Sequence, residues 1–439
     1  MNPNRRAVVV ALIVLALRAG AAMGQGSVVA HGGGADWDLG SHREMVRWMI
    51  NQAAAGHEGD GKVRAVILGA VPRDPEEPDA AAEAFRREGA EVEALVVTGE
   101  NADAPETAAA IESARIVWIR GGNQWRYVNW WKGTATERAI RRVFEAGGVV
   151  GGTSAGCAIL GEVAYDARNG SLRPEQALAD GRHENLTLTE GFLNVVPGVL
   201  FDTHFTERGR IGRLPVMMAR AKADFGKEVM GVGVDHETAL MIDAQGRGTV
   251  VGTGWVTVLL WRADSAAECV SGRPPVVTGV AMTVLPSGAE YDLRQRRAAH
   301  YGMATGHLHR ISPGTMTEVE VVPTMWARDR GVFDRAKHWL LSLGRQAPCA
   351  SVLLDEGSSA TLVNGRRHDI TANAGSHPAA AVVLYAGGGA AVSDQHSPAF
   401  AIDNALLHIL PPAWGFDRLT GETSAPPADP AAAPLPSSR

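Results

Sequence analysis

Residues 149–160 read Val-Val-Gly-Gly-Thr-Ser-Ala-Gly-Cys-Ala-Ile-Leu, and few backbone paths suit them. Two valines drive a buried strand. Gly152-Thr-Ser154-Ala-Gly156 then fits G-x-S-x-G, and a second apolar run follows. A strained strand-to-helix turn needs small neighbours on both sides, so that one hydroxyl can project while backbone passes close by. The Ala155 amide, at the start of the following helix, faces any negative charge that develops beside Ser154. A strand feeding a helix through such a turn places the chain among α/β folds, with active sites at the carboxyl ends of strands.

The flanking sequence repeats the theme. Strands are expected over 27–30, 65–68, 92–97, 116–119, 229–234, 239–242 and 250–261. Helices are expected over 80–87, 107–113, 136–146 and 211–223, with another capped by Ser41 and carrying Met45, Trp48 and Met49 at helical spacing. Alternating strands and helices imply a mainly parallel sheet covered on both faces. A second glycine turn, Gly121-Gly122, ends the 116–119 strand. Residues 164–187 are polar and read as a surface excursion. After 262 short β-like runs with Pro and Gly predict a smaller β-rich region, 263–423. Residues 424–439 are rich in Ala, Pro and Ser and read as a disordered tail.

Arg5, Arg6 and an apolar run over 7–17, then small residues to Gly24, predict a signal peptide over 1–24. The expected compartment is therefore the periplasm or the medium, with no stable membrane span after cleavage. Lys and Arg number 42 against 48 Asp and Glu, a net charge of −6. Losing residues 1–24 takes it to −9, which excludes a general nucleic-acid binder. The three cysteines lack a CxxC spacing. Export permits a Cys269–Cys349 bridge, and Cys157 reads as a buried thiol.

A serine nucleophile needs a base, and His204 in Phe201-Asp-Thr-His-Phe205 is the best placed, beside Arg208, Arg210 and Arg213. Arg208 and Arg213 suit bidentate carboxylate binding, or a solvated helix face. Asp235 and Glu237 follow a strand, where alternation puts both on one face and His236 on the other; Asp166 is a third acid. Gly306-His-Leu-His309 reads as surface histidines and lacks a third metal ligand, so no metal is assigned. His31-Gly-Gly-Gly34 reads as a structural turn or an oxyanion loop. Trp125, Trp130 and Trp131 read as packing or a substrate rim.

Four segments in order resemble the cyanophycinase family of serine peptidases (S51): Gly121-Gly-Asn-Gln124, Gly151-Gly-Thr-Ser-Ala-Gly156, 202–214 and 231–240. The resemblance covers about residues 27–262. It implies a three-layer α/β sandwich similar to class I glutamine amidotransferases, no cofactor, and Ser154 and His204 as nucleophile and base. It also implies an oxyanion hole from the amides of Gly122 and Ala155, and substrate contacts by Gln124, Arg208 and Arg213. The expected substrate is cyanophycin, through its β-aspartyl-arginine units, or a related peptide; a homodimer is a further expectation. Thr203 stands where the family has Gln, which alters the substrate pocket. His236 stands at the family's triad Glu, with Glu237 one step later. Glu237 brought into register by a bulge, Asp235 turned inward, or a weakened or inactive binding protein all fit. A glutamine amidotransferase-like enzyme would need a cysteine where Ser154 stands.

Overall fold

The computed structural model describes residues 26–55, 61–72, 79–302, 309–310, 318–322, 349–354, 358–363, 367–373, 379–386, 390–392, 401–417, 420 and 422–426. The expected signal segment lies outside them, as do residues 306–308 of the Gly-His-Leu-His stretch and 427–439 of the expected tail.

The first half alternates as its pattern dictates: β1 (Ser27–His31), α1 (Gly40–Ala54), β2 (Arg64–Gly69), α2 (Ala80–Arg87), β3 (Glu91–Val96), α3 (Pro105–Glu112), β4 (Ile116–Ile119), α4 (Gln124–Trp131), α5 (Ala135–Glu145), β5 (Val149–Thr153) and α6 (Ala155–Ala158). Leu39, not Ser41, precedes the first turn of α1, and no side chain caps it. After β6 (Val163–Tyr165), α7 (Pro174–Ala179) and β7 (Leu188–Glu190) come β8 (Val199–Thr203), α8 (Leu214–Phe225), β9 (Met230–Val234), β10 (Thr238–Ile242), β11 (Arg247–Gly252) and β12 (Val256–Leu260). Four strands follow: β13 (Ala266–Glu268), β14 (Val276–Leu285), β15 (Ala289–Asp292) and β16 (Arg297–Tyr301).

One sheet runs β16-β15-β11-β10-β1-β5-β4-β2-β3. Its β3 to β1 half is parallel, and β10 joins β1 antiparallel. Strand alternation splits its side chains cleanly. Val29, Ile67 and Trp118 pack on Met45, Met49 and Phe85 of α1 and α2. Val28, Val66, Val117 and Val150 face Val128, Trp131 and Ile140 of α4 and α5. Helices on both faces make the three layers.

A second large sheet contains β8, β9, β12 and β14, then strands 402–410, 381–386, 349–353 and 318–322. Residues 250–261, expected as one strand, are two. Gly252 has φ +133°, and a Cβ there would lie 2.2 Å from the Glu237 carbonyl oxygen. The chain breaks at that glycine and crosses from one sheet to the other. The strands after residue 262 enter both sheets, since β14 pairs with β12 and β15 with β11. Ser424, expected in the tail, pairs with Gly415. All three cysteines are unbridged. Among the described residues no helix is long and apolar enough to cross a membrane.

Candidate active site

Ser154 sits between β5 and α6 with φ +51° and ψ −112°. The glycines around it are there for space: a Cβ on Gly152 would lie 2.5 Å from the Gly156 carbonyl, and one on Gly156 2.3 Å from the Ile119 carbonyl oxygen. The Ser154 amide donates to the His31 carbonyl (3.0 Å). Its Oγ lies 2.9 Å from His204 Nε2. His204 follows β8 directly, at φ +45°. The serine therefore comes from the first sheet and the histidine from the second. Burial, then the charges of Arg208, Arg210 and His236, push the His204 imidazole down to about 3.

The pair opens on a cavity of about 280 Å³. Gly122, Gln124, Ala155, Tyr165, Thr203 and Arg208 are among its walls. Gly122 and Ala155, whose amides the resemblance assigns to an oxyanion hole, line the same cavity as Ser154. Tyr127 Oη, 2.9 and 3.1 Å from the carbonyl oxygens of Arg120 and Gly121, fixes the first glycine turn.

The arginines divide by burial. Arg213, expected to touch substrate, is 1% exposed. Its Nε and Nη2 donate to the two oxygens of Asp202 (2.8 and 2.6 Å), Nη1 donates to the Leu172 carbonyl, and its plane lies over Tyr165. It braces the cavity floor. Arg210 is buried too and donates to the Thr203 carbonyl, with Thr203 Oγ1 at 3.3 Å. The Thr203 hydroxyl is therefore already engaged. Burial alone would raise the Asp202 carboxyl, but Arg213 and Arg210 outweigh it and hold it below its usual value. Arg208 is exposed on the cavity wall. It is the arginine whose head remains available.

No carboxylate among the described residues bonds the His204 ring. Alternation does not govern 235–237, because β9 ends at Val234 and these residues form the turn that crosses between sheets. Asp235 is buried and its two oxygens accept the Thr206 and Trp255 amides (2.9 and 3.0 Å). Burial and nearby Glu207 push its carboxyl up. Glu237, at φ +51°, directs its carboxylate toward Thr253 Oγ1 (3.3 Å). Asp166 accepts from Thr187, Thr189 and the Arg168 amide and anchors the segment after β6. His236 stands beside His204, their ring centroids 5.1 Å apart.

Residues 164–187 are not merely surface. Tyr165, Leu172 and Leu178 are buried, and Ala167, Gly170 and Ser171 line the cavity. Polar composition hid them; Tyr165 and Leu172 were the apolar signal. Asp202 was missed as a floor residue, although it stands two positions before His204. Of the tryptophans, Trp131 is core, with Nε1 on the Val97 carbonyl, whereas Trp125 carries the Arg168 guanidinium 4.4 Å above its ring. Among the described residues no group of three or more His, Cys, Asp or Glu is placed to hold a metal.

Residues 74–249 match the family model of Peptidase family S51. Over 244 residues the chain is 30% identical to a cyanophycinase of Synechococcus elongatus, covering 53% of this chain and 72% of that protein. It is 27% identical over 271 residues to a cyanophycinase of Trichormus variabilis, covering 60% and 85%. Among solved structures, a peptidase from an acI-B1 Actinobacterium aligns with 61% of this chain and 97% of its own, at 20% identity and a TM-score of 0.43. The matched stretch carries the Ser154 elbow, the His204 loop and the 235–237 turn, and with the likeness to cyanophycinases it makes this chain a member of peptidase family S51, the cyanophycinase-like peptidases.

Proposed function

We propose that this peptidase is of the serine type, is exported by its N-terminal segment, and cleaves β-aspartyl-arginine units of cyanophycin or a related peptide amide. The observation that supports it best is Ser154 Oγ 2.9 Å from His204 Nε2 at the wall of a cavity. His204, neutral at physiological pH, accepts the serine proton as Oγ attacks the amide carbonyl. The oxyanion is met by the amides of Gly122 and Ala155. The imidazolium then protonates the leaving amine, and water hydrolyses the acyl-serine with His204 again as base. Arg208 and Gln124 hold the substrate's polar groups, Arg208 through a carboxylate. With no carboxylate of the described residues on its far nitrogen, His204 works at a cost that reaches about 10⁴ in rate when a related triad loses its acid. This predicts a slow enzyme. His236 beside the base favours a second reading, a binding protein that has lost turnover.

One experiment separates the two. The purified protein is incubated with cyanophycin, β-aspartyl dipeptides and α-linked peptides, and products are followed by mass. Release of β-Asp-Arg, or of amine from another aspartyl amide, is expected. Binding with no product from any of them would establish the second reading.

The pH dependence has a definite sign. An imidazole held near 3 stays proton-accepting at pH 5, where an ordinary histidine is mostly charged. Turnover at pH 5 is expected within about twofold of that at pH 7. A half-maximal point near 6.5 would contradict this. Stability moves as well. The unfolded chain's His204 takes a proton as pH falls through 6.5, and the folded one does not until about 3. Its contribution is thus full above 6.5 and is lost as pH falls toward 3.

A further inference from the structure

We propose that His31 is a positioning residue for the Ser154–His204 pair, acting through the backbone of residues 32–34 in place of a triad carboxylate. The inference rests on the serine-peptidase reading above.

His31 ends β1, in register with Thr153 beside the nucleophile, and is fully buried. Its Nδ1 accepts the Gly33 amide (3.1 Å) and lies 2.9 Å from the Thr153 hydroxyl. With Nδ1 an acceptor, the neutral ring carries its proton on Nε2 and donates to His42 Nε2 (2.7 Å). Both ring nitrogens are thereby committed, and the loop behind them is fixed. That loop touches Ser154, His204 and the 236–237 turn. The His31 carbonyl holds the Ser154 amide (3.0 Å), the Gly32 carbonyl the His204 amide (2.9 Å), and the Gly33 carbonyl the Glu237 amide (2.8 Å). Gly33 lies flat against the base: a Cβ there would come within 2.2 Å of His204 Cε1. Gly34 does the same for His236, at 1.9 Å from its Cε1. Nucleophile and base belong to different sheets, so their 2.9 Å separation is set across a seam. The 31–34 segment spans that seam, and the His31 ring is what fixes its turn.

The test uses a fluorophosphonate, which needs no knowledge of substrate. The Ser154 Oγ–P bond forms as P–F breaks, the serine proton passes to His204, and fluoride leaves. Maximal inactivation rate and half-saturating concentration are measured for the parent, His31→Leu, His31→Asn and Gly33→Ala, each with its melting temperature. His31→Leu is expected to lower the maximal rate at least about tenfold with the half-saturating concentration within about twofold. His31→Asn, whose Oδ1 can accept the Gly33 amide, is expected to recover most of the rate. Gly33→Ala keeps His31 but displaces the His204 ring, and should slow labelling as His31→Leu does; it serves if His31→Leu does not fold. Parental rates in His31→Leu or Gly33→Ala, or equal loss in the Leu and Asn variants, would overturn the inference alone. A parent that is never labelled at Ser154 would overturn the serine-peptidase reading, and this inference with it.

Discussion

Ser154→Ala is expected to lower peptide turnover at least about 10³-fold while the melting temperature stays within a few degrees of the parent. The asymmetry follows from what the side chain touches. Among the described residues the Ser154 hydroxyl makes one side-chain hydrogen bond, to His204, and a bond of that kind contributes about 1 kcal/mol. The turn itself is held by Gly152, Gly156 and the Ser154 amide, which alanine retains. With the proposed nucleophile gone, only the proposed oxyanion hole and binding are left to act on a substrate. Turnover above a tenth of the parent's would mean that Ser154 does not attack.

Asp202→Asn is expected to cost about 3–5 kcal/mol of stability, the range for breaking a buried ion pair by removing one partner. Asp202 and Arg213 are each 2% exposed at the side chain and share two hydrogen bonds. Arg210 adds a second buried guanidinium, with Nη1 3.4 Å from Asp202 Oδ1. An amide in place of the carboxylate strands both cations in the cavity floor. Denaturant unfolding reads the loss directly, and a change below about 1 kcal/mol would show that the pair is not a brace. The carboxyl is held below its usual value, so its contribution is present above the ordinary aspartate range and fades as pH falls below it. The parent should lose this part of its stability in acid, and Asp202→Asn should not.

These residues also show what the sequence could and could not convey. The Ser154 elbow was legible because its glycines report backbone clearance, a local property. Both glycine turns were placed at strand ends for the same reason. Arg213 was legible as a cation near His204 but not as a buried one, since its burial depends on Leu172 and Tyr165, some forty positions earlier. That neither Asp235 nor Glu237 reaches His204 was illegible for a different cause. Alternation assumes a strand that continues, and residues 235–237 leave one sheet to enter another, with Glu237 in the left-handed region. Nothing local marks β8 and β9 as belonging to the second sheet, because apolar strands buried on both faces read alike wherever they pair. The polar stretch after β6 misled by composition, since its few apolar residues are the ones that face inward.

The two shared sheets have a consequence for where this peptidase can be cut. The matched residues, 74–249, omit β1, and with it the backbone on which Ser154 and His204 meet. They also omit β12 and β14, which carry β9 and through it β8. A fragment trimmed to the recognisable stretch would keep every proposed catalytic side chain and lose the scaffold that brings two of them together. In this protein the stretch that matches the family model is shorter than the stretch that holds the Ser154–His204 pair together.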